Sequence, residues 1–211
     1  MNRLEYWREV WERKGSQTQG LIAANGYDEG LGKMDTETYL NFTKVAKKEL
    51  GVKDGDTILD VGCGSGAMLL LLSTRGIEIA GIDYSKAQIK RAKRVVPGMT
   101  ARVSEANRIP FGDGIFTKVF SCGVFHYFPN LNYATEVLLE MERVATREGK
   151  VLVVDIPDLS KGDDRNHLYY PKSFFEDFAE RQNMNIKIFN QDVPGYGNSP
   201  FRFNVLLWRS S

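Results

Sequence analysis

Cysteine and histidine are scarce in this chain. Two cysteines, Cys63 and Cys122, cannot make a disulfide framework, and with only His126 and His167 beside them no metal site is expected. Long apolar runs are absent too. The longest, Ala67 to Leu72, has six residues against the roughly 20 that a membrane span needs. The start, Met1-Asn2-Arg3-Leu4-Glu5-Tyr6, lacks the apolar stretch of a signal peptide, so the cytoplasm is the expected address. Nor is there an excess of charge of one sign. The 28 Lys+Arg against 27 Asp+Glu leave +1, which removes the electrostatic argument for a nucleic-acid partner. No repeat, low-complexity block or linker divides the 211 residues. One domain is expected, with 1–50 as an N-terminal helical cap and 51–211 as the core.

What is present is an alternation of helix-like and strand-like segments. Leu4, Trp7, Val10 and Trp11 share a helical face, and a glycine-spaced stretch follows from Gly15 to Gly32. A second helix is predicted from about Asp35, its cap, to Leu50, with Gly51 ending it. Strands are predicted at Thr57–Val61, Ile77–Ile82, Ala101–Val103, Lys118–Cys122, Lys150–Ile156, Ile186–Phe189 and Phe203–Trp208. Helices fall at Met68–Leu72, after a capping box of Ser85 and Gln88, at about Asn132–Arg147, and near Ser173–Gln182. Alternating strands and helices imply parallel units and an α/β doubly wound sheet of seven strands. Only Asn190 to Arg202 joins the last two strands, with no helical pattern, so that end should be antiparallel. Lys86, Lys90, Arg91, Lys93 and Arg94 form a basic run on one helix, which reads as a solvated face.

The chemical signal is strongest at Asp60-Val-Gly62-Cys63-Gly64-Ser-Gly66, directly after a strand and before a helix. Glycines let the backbone turn sharply and approach a ligand, and a helix N-terminus presents free N–H groups. Asp83 ends the next strand, 21 positions after Gly62, where a carboxylate can take both hydroxyls of a ribose. Gly62, Gly64 and Ala67 also fit the dinucleotide pattern, so spacing alone leaves a nicotinamide nucleotide open.

These segments resemble the class I S-adenosylmethionine-dependent methyltransferases, and in particular the menaquinone/ubiquinone-methyltransferase-like branch. Ile58–Gly66 is similar to the family's first motif and Gly81–Ser85 to its ribose-binding acid. Glu105-Ala-Asn-Arg-Ile-Pro-Phe111 is similar to its adenine segment, and Phe116–Phe128 to its fourth strand and following turn. The resemblance implies a Rossmann-like fold and S-adenosylmethionine as cofactor. It implies that Asp60, Gly62, Cys63, Gly64 and Gly66 surround the methionine portion and that Asp83 holds the ribose. Tyr84 would pack on the adenine, Glu105, Ala106 and Asn107 would read its edge, and Ser121 would border the same site. Two departures stand out. Glu105 replaces the usual Asp, on a longer arm, and Thr117-Lys118 replaces an acidic residue expected at the surface.

His126 follows the fourth strand at the rim of this site, where an imidazole could take a proton from a hydroxyl or amine acceptor. It is the candidate catalytic residue. His167 lies in the polar segment Asp158–Tyr170, read as a lid. The acceptor pocket must come from residues 1–34, Asp158–Tyr170 and Gln191–Arg202. The candidate substrate-side residues are Trp7, Trp11, Tyr127 and Tyr169, with Tyr27, Tyr170 and Tyr196 completing an aromatic wall. That wall suits a small molecule and not a phosphate backbone. Three other classes stay open: a nicotinamide-dependent oxidoreductase, an RNA or protein methyltransferase, and a non-catalytic cofactor-binding module. The sequence leaves oligomeric state open.

Overall fold

The computed structural model describes residues 2–73, 76–164 and 166–210. Seven strands, β1 (Thr57–Val61), β2 (Glu78–Asp83), β3 (Thr100–Val103), β4 (Phe116–Cys122), β5 (Ala145–Pro157), β6 (Asn185–Asn190) and β7 (Arg202–Trp208), form one sheet in the order β3-β2-β1-β4-β5-β7-β6. The first five strands pair in parallel, and β7 runs antiparallel to both β5 and β6. The antiparallel end expected from the short 190–202 connection is present. So is the doubly wound parallel part.

Strand side chains alternate between two apolar layers. On one face, Leu59, Val61 and Val119 pack against α6 (Leu131–Val144) and α7 (Lys172–Arg181). On the other, Ile58, Phe120 and Leu152 pack against α3 (Thr36–Leu50), α4 (Ala67–Leu72) and α5 (Lys86–Val95). Helix α3 begins and ends as predicted. The Asp35 carboxylate accepts from Thr38 N at 2.8 Å, and Gly51 closes the helix in the left-handed region.

Two further helices, α1 (Arg3–Gln17) and α2 (Leu21–Ala24), lie across α5 and the carboxyl edge of the parallel strands. Asn2 starts α1 with a capping box to Glu5. Gly15 is required where α1 crosses α5, because a Cβ there would lie 2.9 Å from Gln88 N. Glu12 reaches over to cap α5, accepting from Ser85 Oγ at 2.7 Å and from Ala87 N at 3.2 Å. An acid at a helix N-terminus is favoured by the free N–H groups and the dipole there. The capping box predicted within α5 is half formed. Ser85 Oγ accepts from Gln88 N, while the Gln88 side chain turns away to donate to Ala24 O at 2.7 Å. Of the basic run, Lys86, Lys90, Lys93 and Arg94 are exposed. Arg91 instead donates to the carbonyls of Gly15 and Thr18 at the end of α1.

Lys118 corrects one expectation. The Thr117-Lys118 pair is not a surface substitution: Lys118 is buried in β4 with its ammonium 3.8 Å from Asp56, whose carboxylate also accepts from Thr117 Oγ1 at 2.7 Å.

Candidate functional site

In a parallel sheet the strands end on one edge, and here that edge carries Asp60, Asp83, Cys122 and Asp155. After β1 the backbone turns through Gly62, at a φ of 84°, where a Cβ would lie 2.4 Å from a Val124 methyl. The N–H groups of Gly62 and Cys63 both donate to Ile82 O, at 2.8 and 2.9 Å, which locks the turn to β2. The Asp83 carboxylate is gripped from two sides, by Gly64 N and Ser85 N, each at 2.9 Å.

A first cavity of about 840 Å³, counting its open mouth, forms over this turn. Its wall includes Asp60, Gly62, Cys63, Gly64, Asp83, Tyr84, Glu105 and Ala106. Leu4 and Trp11 of α1 and Asn25 and Tyr27 after α2 close it from above. Asp60 is buried with Oδ1 unpartnered among the described residues. Burial, and the charge of Asp83 beside it, push its pKa well up. Burial likewise raises Asp83 to about 6, against the pull of its two backbone donors. This pair of desolvated acids, one with an orphaned oxygen, suits a ligand that brings a positive charge and hydroxyl donors. S-adenosylmethionine carries a sulfonium, an ammonium and a ribose, so the residues present fit it. At the far rim Arg8 pairs with Glu105 and lies 5.7 Å over the Tyr84 ring.

A second cavity of about 830 Å³ adjoins the first, sharing Trp11, Asn25, Tyr27, Gly123 and Tyr127. Its remaining wall brings together Trp7, His126, Asp155, His167, Tyr196 and Arg202. The His126 ring lies 5.3 Å from that of His167, which stacks on Trp7 at 5.5 Å. Asp164 holds His167 Nδ1 at 2.9 Å. Burial, then the positive charge of Arg202, drive the His126 pKa well below the usual histidine value, and its Nδ1 has no partner among the described residues. At neutral pH this imidazole is neutral.

Several residues named from the sequence lie elsewhere. Gly66 packs against Ala92 and Val96 of α5, outside the cavity wall. Ser121 is buried and donates to Val61 O at 2.8 Å, tying β4 to β1. Asn107 turns to Glu136 at 2.8 Å. Tyr169 borders neither cavity, its hydroxyl donating to Asp164, and Tyr170 is wholly buried on Phe125 O. Among the described residues of the Asp158–Tyr170 segment only His167 reaches a cavity, whereas 191–202 supplies Tyr196, Asn198 and Arg202.

Asp155 escaped the sequence reading. It breaks the β5–β7 register at a φ of 66°, and both carboxylate oxygens accept from the Tyr196 hydroxyl, at 3.0 and 2.9 Å. The signal was visible: one acid stands inside the apolar run Val151-Leu-Val-Val-Asp155-Ile156.

Comparison with known proteins agrees with this geometry. Residues 59–153 match the methyltransferase domain family. The 2-methyl-6-phytyl-1,4-hydroquinone methyltransferase of Synechocystis is 34% identical over 132 residues, covering 61% of this chain and 39% of that protein. The demethylmenaquinone methyltransferase of Beutenbergia cavernae is 31% identical over 107 residues, 50% of this chain and 43% of that one. The chain thus spans less than half the length of these two relatives. The magnesium protoporphyrin IX methyltransferase of Synechocystis, solved with bound S-adenosylmethionine, superposes with a TM-score of 0.73 over the whole chain and 98% of its own. At 13% identity that likeness is one of fold. Motifs, sheet order and relatives converge on a methyltransferase domain over residues 59–153, similar to the S-adenosylmethionine-dependent methyltransferases and, in sequence, to the quinone methyltransferases named above.

Proposed function

We propose that this chain, acting in the cytoplasm as a single catalytic unit of cap and core, transfers a methyl group from S-adenosylmethionine to a hydroxyl or amine of a small molecule. The observation that carries this reading is the junction of the two cavities at Trp11, Tyr27 and Tyr127, with an orphaned acid in one and a neutral, unpartnered imidazole in the other. The sulfonium supplies a reactive methyl group. Asp60 would face the ammonium of the methionine portion, Asp83 would accept from the ribose hydroxyls, and Tyr84 with Glu105 would border the adenine. The aromatic wall holds the acceptor in line and keeps water out, which is catalysis by alignment. The His126 imidazole takes the proton that the acceptor gives up. Nucleic acid is not the expected acceptor.

Replacing His126 by alanine is expected to lower kcat by about 10²-fold or more with cofactor affinity unchanged. Initial rates and calorimetry on the same preparation check this. Equal turnover would reduce His126 to packing and leave alignment alone.

A pH dependence follows from Asp83. In the free protein burial raises its pKa from 3.8 to about 6, so its contribution to stability falls between about pH 4 and 6 and levels off above that. Ribose hydroxyls favour the charged form. Cofactor affinity should therefore fall about tenfold per pH unit below 6. Titrations of S-adenosylhomocysteine across pH 5 to 8 check it, and Asp83→Asn should abolish the slope.

A further inference from the structure

Arg202 opens β7 on the wall of the second cavity. Its side chain is 12% exposed, and its one ion pair among the described residues, Nε to Asp155 Oδ1, is stretched to 3.8 Å. Nη1 is sealed from solvent with no hydrogen-bond partner among the described residues. A guanidinium held out of water in this way is costly unless an anion meets it. Asp155 meets it only in part, at 3.8 Å, while its carboxylate also accepts the single hydroxyl hydrogen of Tyr196. Lys14, the other lysine or arginine of this wall, is committed to Asp28 at 2.6 Å. Arg202 thus borders, with its guanidinium only loosely paired, a hollow walled by Trp7, Trp11, Tyr27, Tyr127 and Tyr196 together with the acids Glu29 and Asp155.

We infer that the small-molecule acceptor carries a carboxylate and that Arg202 holds it, so that Arg202 selects the acceptor. A planar guanidinium fork matches a planar carboxylate through two parallel N–H···O bonds. A monoanion is the smaller charge to add: Lys14 and Arg202 already share this wall with the acids Glu29 and Asp155, and a phosphate dianion would double the negative excess. Aromatic rings at Trp7 and Tyr127 provide stacking faces for an acceptor ring or sugar. This inference rests on the methyl-transfer reading for the acceptor's role, and not for the anion site itself.

The test uses the full chain saturated with S-adenosylhomocysteine, titrated with benzoate and with its neutral counterpart benzyl alcohol, and read by calorimetry or NMR. Benzoate is expected to bind at least about tenfold more tightly. Arg202→Gln should erase that preference while leaving S-adenosylhomocysteine affinity unchanged, and Arg202→Lys should keep part of it, having the charge without the fork. Because Arg202→Gln leaves Asp155 unpaired, the double variant Arg202→Gln with Asp155→Asn removes both charges and serves if the single variant fails to fold. No preference for benzoate at millimolar concentration overturns the inference. So does a preference that survives in either Gln variant. If S-adenosylhomocysteine fails to bind, methyl transfer is refuted, and the benzoate titration of the free chain still decides the anion site.

Discussion

Removal of residues 1–34 is expected to bring methyl transfer down to background and to weaken S-adenosylhomocysteine binding as well. Helix α1 supplies Trp7, Val10 and Lys14 to the second cavity, Leu4 to the first and Trp11 to both. After α2, Asn25 accepts from Ser65 N at 2.7 Å, bracing the glycine turn from above. A misplacement of reacting groups by about 1 Å alone costs about 10²-fold in rate, and here an entire wall is lost and water is admitted. From the sequence alone this segment is expected to build only the acceptor side. The shared walls extend the effect to the cofactor, because Glu12 also caps the helix that Asp83 leads into. Initial rates, calorimetry and a melting curve of the truncated chain check this. A truncated chain that methylates as fast as the whole one would overturn the small-molecule pocket.

Replacement of Asp83 by alanine should weaken cofactor binding by about 30- to 150-fold. Charge-assisted bonds to two ribose hydroxyls are worth about 2–3 kcal/mol together after the exchange with water. The side chain is already oriented, since Gly64 N and Ser85 N fix one oxygen each. Little of the binding energy is then lost to ordering it. Alanine removes the ribose acceptor and leaves both N–H groups without theirs. Asp83→Asn keeps one oxygen and should fall between the two. Competition binding with S-adenosylhomocysteine reads the effect directly, and unchanged affinity in the alanine variant would remove Asp83 from the cofactor site.

Local rules made much of the fold legible. The apolar strand Thr57–Val61, the Asp35 and Gly51 caps of α3 and the short 190–202 connection each follow from nearest-neighbour chemistry, and the structure has all three. The glycine turn with Asp83 was legible for the same reason: a tight turn and a strand-end acid leave a fixed spacing. Other features depend on partners distant in sequence. Helix α2 is a single turn with no side-chain cap, held by Ser65 Oγ on Leu21 O and by Gln88 on Ala24 O. The Ser85 box was half lost because Gln88 had that tertiary acceptor. Ser121 and Gly66 sit at strand and turn positions that motifs mark, yet their atoms serve packing and hydrogen bonds away from the cavities. Asp155 and Arg202 are 47 residues apart in the chain. Only the antiparallel pairing of β5 with β7 joins them, and no local pattern announces that pairing's bulge.

Calorimetry of the intact chain at neutral pH, with S-adenosylhomocysteine in one titration and NAD in another, separates methyl transfer from nicotinamide chemistry. S-adenosylhomocysteine is expected to bind one site per chain, with NAD failing to compete for it. Tight NAD binding with no binding of S-adenosylhomocysteine would contradict methyl transfer.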